Sequence, residues 1–184
     1  MANLYRSTIY HLKADPFRMD CLAAVADLAL PSAMICAGLI RNLIWDVAHN
    51  YPKPTPLADV DVVWFDAGNT DRMIDEELEN QLQKKLNGVH WQVRNQARMH
   101  LKYGVPAYSS SIDAVLRFPE TATCLAAQQH PQHGLILSVD AGLIDAWSLC
   151  LAHNRRSGLP PNVAQDRAHL KRWQQQWPNL YWRT

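Results

Sequence analysis

Two aspartates two residues apart, Asp59 and Asp61, are the side chains in this sequence best placed to do chemistry. They fall in residues 57–66, LADVDVVWFD, which reads as a β-strand. Side chains on a strand alternate between faces, so both carboxylates point the same way. That spacing suits one or two divalent cations. Val60, Val62, Val63, Trp64 and Phe65 are apolar on both faces, as in a central strand covered on each side. Two like charges beside such a strand cost on the order of several kcal/mol unless compensated, and a metal ion is the natural compensator. The plainer alternative makes Asp59 a turn residue after Pro54 and Pro56, with Asp61 at a solvated strand start.

The elements around the pair decide how much it can do. Upstream, residues 33–37 form a short apolar run between Pro31 and Gly38, consistent with a buried strand. A helix follows at once, with Leu39, Ile40, Leu43, Ile44, Val47 and Ala48 at helical spacing. Gly38 therefore stands at a strand-to-helix turn, where free N–H groups of the helix start face a potential anion. It could equally serve only to make the turn tight. Downstream, Ile74, Leu78, Leu82 and Leu86 repeat every four residues in a helix that Asn69 can cap and Gly88 can stop. Asp71, Asp75, Glu76, Glu77, Lys84 and Lys85 read as its solvated faces. Residues 91–94 then alternate like a strand and continue polar through Asn95, Gln96, Arg98 and His100, which either line a site or tie a strand edge to a loop.

The remaining pattern mixes helices and strands. Asp15-Pro16 opens a helix that Pro31 closes. Residues 109–116 start another helix, and residues 121–128 and 135–139 form a hairpin around His130 and His133, which lack nearby third and fourth ligands for zinc. Residues 142–153 read as a helix and 154–161 as a linker. A last helical segment at about 163–177 carries a basic face of Arg167, Lys171 and Arg172, read as solvated or as a surface that could touch nucleic acid. The expected class is α/β (α+β), a mixed central sheet flanked by helices.

At 184 residues the chain is expected to form a single domain over 1–184. Apolar content of 48 % and charged content of 19 % are those of a globular protein. A formal charge of +1 argues against a strongly basic nucleic-acid binder, though not against a local basic patch. No apolar run is long enough to span a membrane and no signal-peptide pattern opens the chain, so a cytoplasmic location is expected. Cys21, Cys36, Cys124 and Cys150 lie far apart among apolar residues, which predicts buried reduced thiols.

The order strand, Gly38, helix, D-x-D strand, helix, polar strand resembles the nucleotidyltransferase fold shared with DNA polymerase β. More narrowly, the sequence resembles a family of bacterial nucleotidyltransferase-like proteins of unassigned substrate. Residues 37–46 (AGLIRNLIWD), 59–66 (DVDVVWFD), 94–100 (RNQARMH) and 118–123 (FPETAT) carry the likeness. Residues 142–145 add a weaker match, and the closing residues 177–180 also fit. The resemblance implies metal-dependent transfer of a nucleoside monophosphate from a nucleoside triphosphate to an unassigned acceptor: a small molecule, a protein or a nucleic acid. It implies that Asp59 and Asp61 hold Mg²⁺ or Mn²⁺. Gly38, Arg41 and Asn42 would bind phosphates, and Asn95 and Arg98 would support the nucleotide, the acceptor or the aspartates. Gln92 stands where the family pattern often has an acid, and Asp66 or Glu120 could substitute for that missing third carboxylate. Gln92 thus keeps two other readings open, a nucleotide- or metal-binding module without turnover and a protein-interaction domain.

Overall fold

The computed structural model describes residues 1–139 and 142–183. Two helices, α1 (Ala2–Lys13) and α2 (Pro16–Ala26), precede the first strand, β1 (Met34–Cys36). The sequence reading gave α1 no place. Asp15 caps α2 as expected, its side chain accepting from Arg18 N at 3.0 Å with Pro16 at the first helical position. Then come α3 (Gly38–Ala48), β2 (Val60–Trp64), α4 (Arg72–Lys85), β3 (Trp91–Asn95), α5 (Gln96–Tyr103) and α6 (Ser111–Val115). The chain continues through β4 (Leu125–His130), β5 (Gly134–Val139), α7 (Gly142–Trp147), β6 (Cys150–Leu151), α8 (Pro161–Leu170), α9 (Trp173–Gln176) and β7 (Tyr181–Trp182).

Five strands make one sheet in the order β3-β2-β1-β4-β5. β1 runs antiparallel to both neighbours, whereas β2 and β3 are parallel, joined by the crossover through α4. This is the mixed sheet flanked by helices that the sequence predicts. One sheet face carries Ile35, Val60, Val62, Trp64, Val93, Leu125 and Leu137 into the main core, where they meet Leu12, Leu22, Ile40, Ile44, Trp45 and Leu82 from the first four helices. The opposite face carries Met34, Cys36, Val63 and Ala126 against Val115, with Ile112 and Phe118 alongside. Strand parity puts Asp59 and Asp61 on this second face, with its smaller apolar cluster.

Several local expectations change. The polar run after β3 is helix α5: the Asn95 side chain caps it by accepting from Ala97 N at 3.0 Å, and Gly104 ends it at φ 63°. Asp71 caps α4 in place of Asn69, accepting from Met73 N at 2.9 Å. The helix expected over 142–153 stops at Trp147, because Leu149 turns the chain at φ 58° into β6. The last helix is split into α8 and α9 by Arg172 at φ 52°. Asp75, read as solvated, is fully buried and accepts from Trp64 Nε1 at 2.8 Å and from Asn95 N at 3.1 Å. All four cysteines are buried, as expected. Among the described residues no helix is long and apolar enough to cross a membrane.

Candidate active site

Asp61 sits in β2 opposite Cys36 of β1 on one side and Gln92 of β3 on the other. Asp59 lies just before the strand. Gln92 Nε2 donates to Asp59 Oδ2 at 3.0 Å, and Lys171 Nζ approaches the same oxygen at 3.9 Å. The position noted for its missing acid thus touches the aspartate pair. Burial raises the Asp61 carboxyl above its ordinary 3.8, and the Asp59 charge adds to the rise, while Lys171, Arg41 and Arg167 pull it back. The Cys36 thiol beside them is also pushed well up, by burial first and then by Asp61 and Asp59. Negative potential at this spot is only partly neutralised.

The turn into α3 is held by an unusual backbone. Ala37 has φ 54° and ψ −113°, a conformation that L side chains avoid, and its N–H is pinned to Leu125 O at 2.9 Å. Its carbonyl takes both Ile40 N and Arg41 N, at 3.1 and 2.9 Å. The Gly38 and Leu39 N–H groups, at the first helical positions, have no intrahelical acceptor. A Cβ on Gly38 would make only ordinary contact, at 3.9 Å from Arg41 Nη2. The glycine therefore leaves an open backbone rather than filling a steric need.

Arg41 is buried under this turn instead of reaching into solvent. Its guanidinium lies against the rings of Trp45 and Trp173, 4.7 and 4.3 Å from their centroids. It donates to Thr123 Oγ1 at 3.1 Å and to Asn42 Oδ1 at 2.9 Å, while Nε has no partner. Burial lowers its pKa to about 10, so it remains charged at neutral pH. Asn42 is also buried, and its carboxamide oxygen serves Arg41.

Two cavities meet at the aspartates. The larger, about 280 Å³, includes Gln92, Lys102, Tyr108 and Arg117 in its lining. The smaller, about 170 Å³, includes Gly38, Arg41, Asn42, Trp173 and Trp177. Ala37, Asp59, Asp61, Arg167 and Lys171 line both. The structure thus gathers Asp59, Asp61, Gly38, Arg41 and Asn42 at one place. It also brings in Arg167 and Lys171, whose four-residue spacing on a helix was the one signal that they act together.

Asn95 and Arg98 are placed elsewhere. Asn95 is fully buried: its oxygen accepts from Asp66 N and Ala97 N, and its amide donates to Asp66 O and Asn69 O. Those bonds saturate the carboxamide and leave nothing for a ligand. Arg98 pairs with buried Asp75. Neither lines the two cavities.

The donor set suits one hard divalent cation. Asp59 and Asp61 offer carboxylate oxygens, and Mg²⁺ commonly takes one or two carboxylates with waters and phosphate oxygens completing its shell. Among the described residues no group of three or more His, Cys, Asp or Glu side chains converges on a point. Glu120 is engaged by Arg167 Nε at 2.8 Å, and Asp66 accepts from Gly68 N at 2.8 Å in the loop after β2. Among the described residues, Asp59 and Asp61 are therefore the two acids that line these cavities.

A family model described as Nucleotidyltransferase matches residues 23–182. Among solved structures, one titled as an NMR structure revealing a CCA-adding enzyme head domain aligns with a TM-score of 0.83 at 24 % identity. The alignment covers 100 % of this chain and 96 % of that one, and it shows the fold. A second, titled as tRNA-processing enzyme complex 3, aligns with a TM-score of 0.48 at 17 % identity over 83 % of this chain and 39 % of that one. No curated protein matches the chain.

Proposed function

We propose that this chain, which belongs to the nucleotidyltransferase family, moves a nucleoside monophosphate from a nucleoside triphosphate to an acceptor, with Asp59 and Asp61 holding Mg²⁺ or Mn²⁺. The observation that carries the reading is the meeting of two carboxylates and the open Gly38 turn where two cavities join. A bound divalent cation supplies charge neutralisation for the phosphates. The chain's own residues do the rest. Gly38 and Leu39 N–H groups donate to phosphate oxygens at the helix start. Arg41, charged and packed against two indoles, adds positive potential from beneath, and Asn42 holds its guanidinium in place. The acceptor oxygen forms a bond to the α-phosphorus as the bond to the bridging oxygen breaks. Pyrophosphate leaves, and the acceptor's proton passes to solvent. Asn95 and Arg98 act at a distance, Asn95 tying β3 to the loop after β2 and Arg98 tying α5 to α4.

Gln92 supports a second reading, a binding module that keeps the cradle without turnover, because its amide donates to Asp59 where an acid would add a ligand. Thermal unfolding tests the shared part. Wild type should melt several degrees higher with Mn²⁺ and nucleoside triphosphate, since ligand at about 100 times Kd adds about 2.7 kcal/mol. Asp61→Ala should respond much less than wild type and no more with Mn²⁺ than without it, and equal responses would sink the metal site. Incubation with α-labelled triphosphates and candidate acceptors separates the two readings: pyrophosphate release marks the enzyme, and tight binding without release marks the module.

A further inference from the structure

Arg167 and Lys171 are one turn apart at the end of α8, and both line both cavities beside the aspartates. Arg167 is tethered by a single bond, Nε to Glu120 Oε1 at 2.8 Å. Glu120 is fully buried and its backbone is fixed, its carbonyl accepting from Thr123 N at 3.0 Å and its strand edge bridged to His153. A guanidinium used only for stability would be expected to meet this carboxylate with two nitrogens. Here Glu120 Oε2 has no partner, and the terminal nitrogens of Arg167 meet no protein acceptor among the described residues. The fork is thus held from behind and left open in front. Lys171 is 3.9 Å from Asp59 Oδ2, a loose ion pair, and it is about half exposed.

We propose that Arg167, set by Glu120, and Lys171 form a polyphosphate clamp supplied by α8, sharing the smaller cavity with the Gly38 turn. Charge balance couples it to the aspartates. Without a divalent cation, Lys171 is the counter-ion of Asp59. When a cation takes Asp59 and Asp61, Lys171 loses its partner and turns, with Arg167, toward negative charge in the adjoining cavities. The identity of that charge as the triphosphate of a nucleotide rests on the function proposed above, while the clamp itself rests on the side-chain geometry. Glu120 is a positioning residue that acts through Arg167.

Calorimetric titration of the full chain with inorganic tripolyphosphate in EDTA tests the clamp apart from the metal. Wild type should bind, and Arg167→Met should weaken binding about tenfold, the loss expected for one charge-assisted contact. Lys171→Met should weaken it by less, because in EDTA that lysine still pairs with Asp59. Lys171 is about half exposed, so Lys171→Met should keep the wild-type melting profile. Arg167→Met leaves buried Glu120 unpaired and should melt lower, so its titration is read well below its own melting temperature. Titration with Mn²⁺ alone should show Lys171→Met binding at least as tightly as wild type, because a competing cation has gone. Asp61→Asn should lose Mn²⁺ and keep tripolyphosphate. If Asp61→Asn keeps Mn²⁺, the metal reading fails while the clamp stands. The clamp is overturned if wild type does not bind tripolyphosphate, or if both single variants bind it as wild type does. For Glu120 the readout is spectroscopic. The Arg167 Nε–H resonance should shift with tripolyphosphate in wild type and be lost to solvent exchange in Glu120→Gln. An unchanged resonance in that variant removes the positioning role.

Discussion

Asp61 carries a penalty in the metal-free protein that a neutral side chain would not. Burial and the neighbouring Asp59 raise its carboxyl above the ordinary 3.8. Between the unfolded and folded values the native state holds the extra proton, so stability falls as pH rises through that interval and stays lower above it. Asp61→Asn removes the penalty. In EDTA at pH 7 the variant should melt above wild type. The gap should close as the pH falls through the carboxylate range toward the unfolded value. Gln92→Glu should move the other way, because it adds a third like charge beside Asp59. Melting curves from pH 3 to pH 8 decide it, and an Asp61→Asn protein less stable at pH 7 would mean that Lys171, Arg41 and Arg167 overcompensate the carboxylate. A residue that lowers resting stability is what a ligand-holding carboxylate is expected to be.

The elements that hold the site are joined through tryptophan. Trp45 of α3 packs edge-on against Trp173 and Trp177, with ring centroids 5.4 and 4.9 Å apart. Trp177 Nε1 donates to buried Asp46 Oδ1 at 2.8 Å, and Asp46 Oδ2 accepts from Thr55 N at 2.9 Å in the loop that leads to the aspartates. Trp177→Ala should therefore cost about 3–5 kcal/mol, from lost burial and a cavity, with Asp46 left short of a donor as well. Trp177→Phe, which keeps most of the ring, should cost markedly less in a denaturant titration. A small, equal loss in both variants would show that α9 contributes little to holding α3. At this scale the sequence was legible where a rule is local. Strand parity placed Asp59 and Asp61 on one face, and the glycine after a short apolar run placed the helix start beside them. It was illegible where partners come from afar. Asp75 reads as a solvated acid because Trp64, Asn95 and Arg98, which bury it, stand on three other elements. Asn95 reads either as part of a site or as a tie between a strand edge and a loop, and only with β2 and β3 side by side does the tie, with its capping of α5 and its clasp on the β2 exit loop, appear. The breaks at Leu149 and Arg172 use positive φ without glycine, so no residue type announces them. Arg167 and Lys171 look like any basic helix face until α8 is laid over the end of β2.

Taken whole, the molecule builds the candidate site at a seam. Asp59, Asp61 and Gly38 belong to the first strands and helices, whereas Arg167, Lys171, Trp173 and Trp177 arrive from the end of the chain. The closing segment is fastened by β7 pairing in parallel with β6 and by Arg183 on buried Asp145. With a net charge of only +1, the molecule as a whole exerts little long-range pull on a polyanion. Capture then depends on local groups from both sides of the seam. A ligand that bridges the seam must be released before either side can open, so binding should protect both sides together. Hydrogen exchange read by mass spectrometry, with Mg²⁺ and nucleoside triphosphate at about 100 times Kd, should slow amides at the start of α3 and in α8. The slowing should approach about 100-fold for openings that require release. Lys171→Met, at a ligand concentration raised to restore saturation, should keep the protection at α3 and lose much of it in α8. Protection confined to α3 in wild type would mean that the nucleotide contacts only the Gly38 turn and the aspartates, and that the C-terminal helices shape the cavities without gripping what enters them.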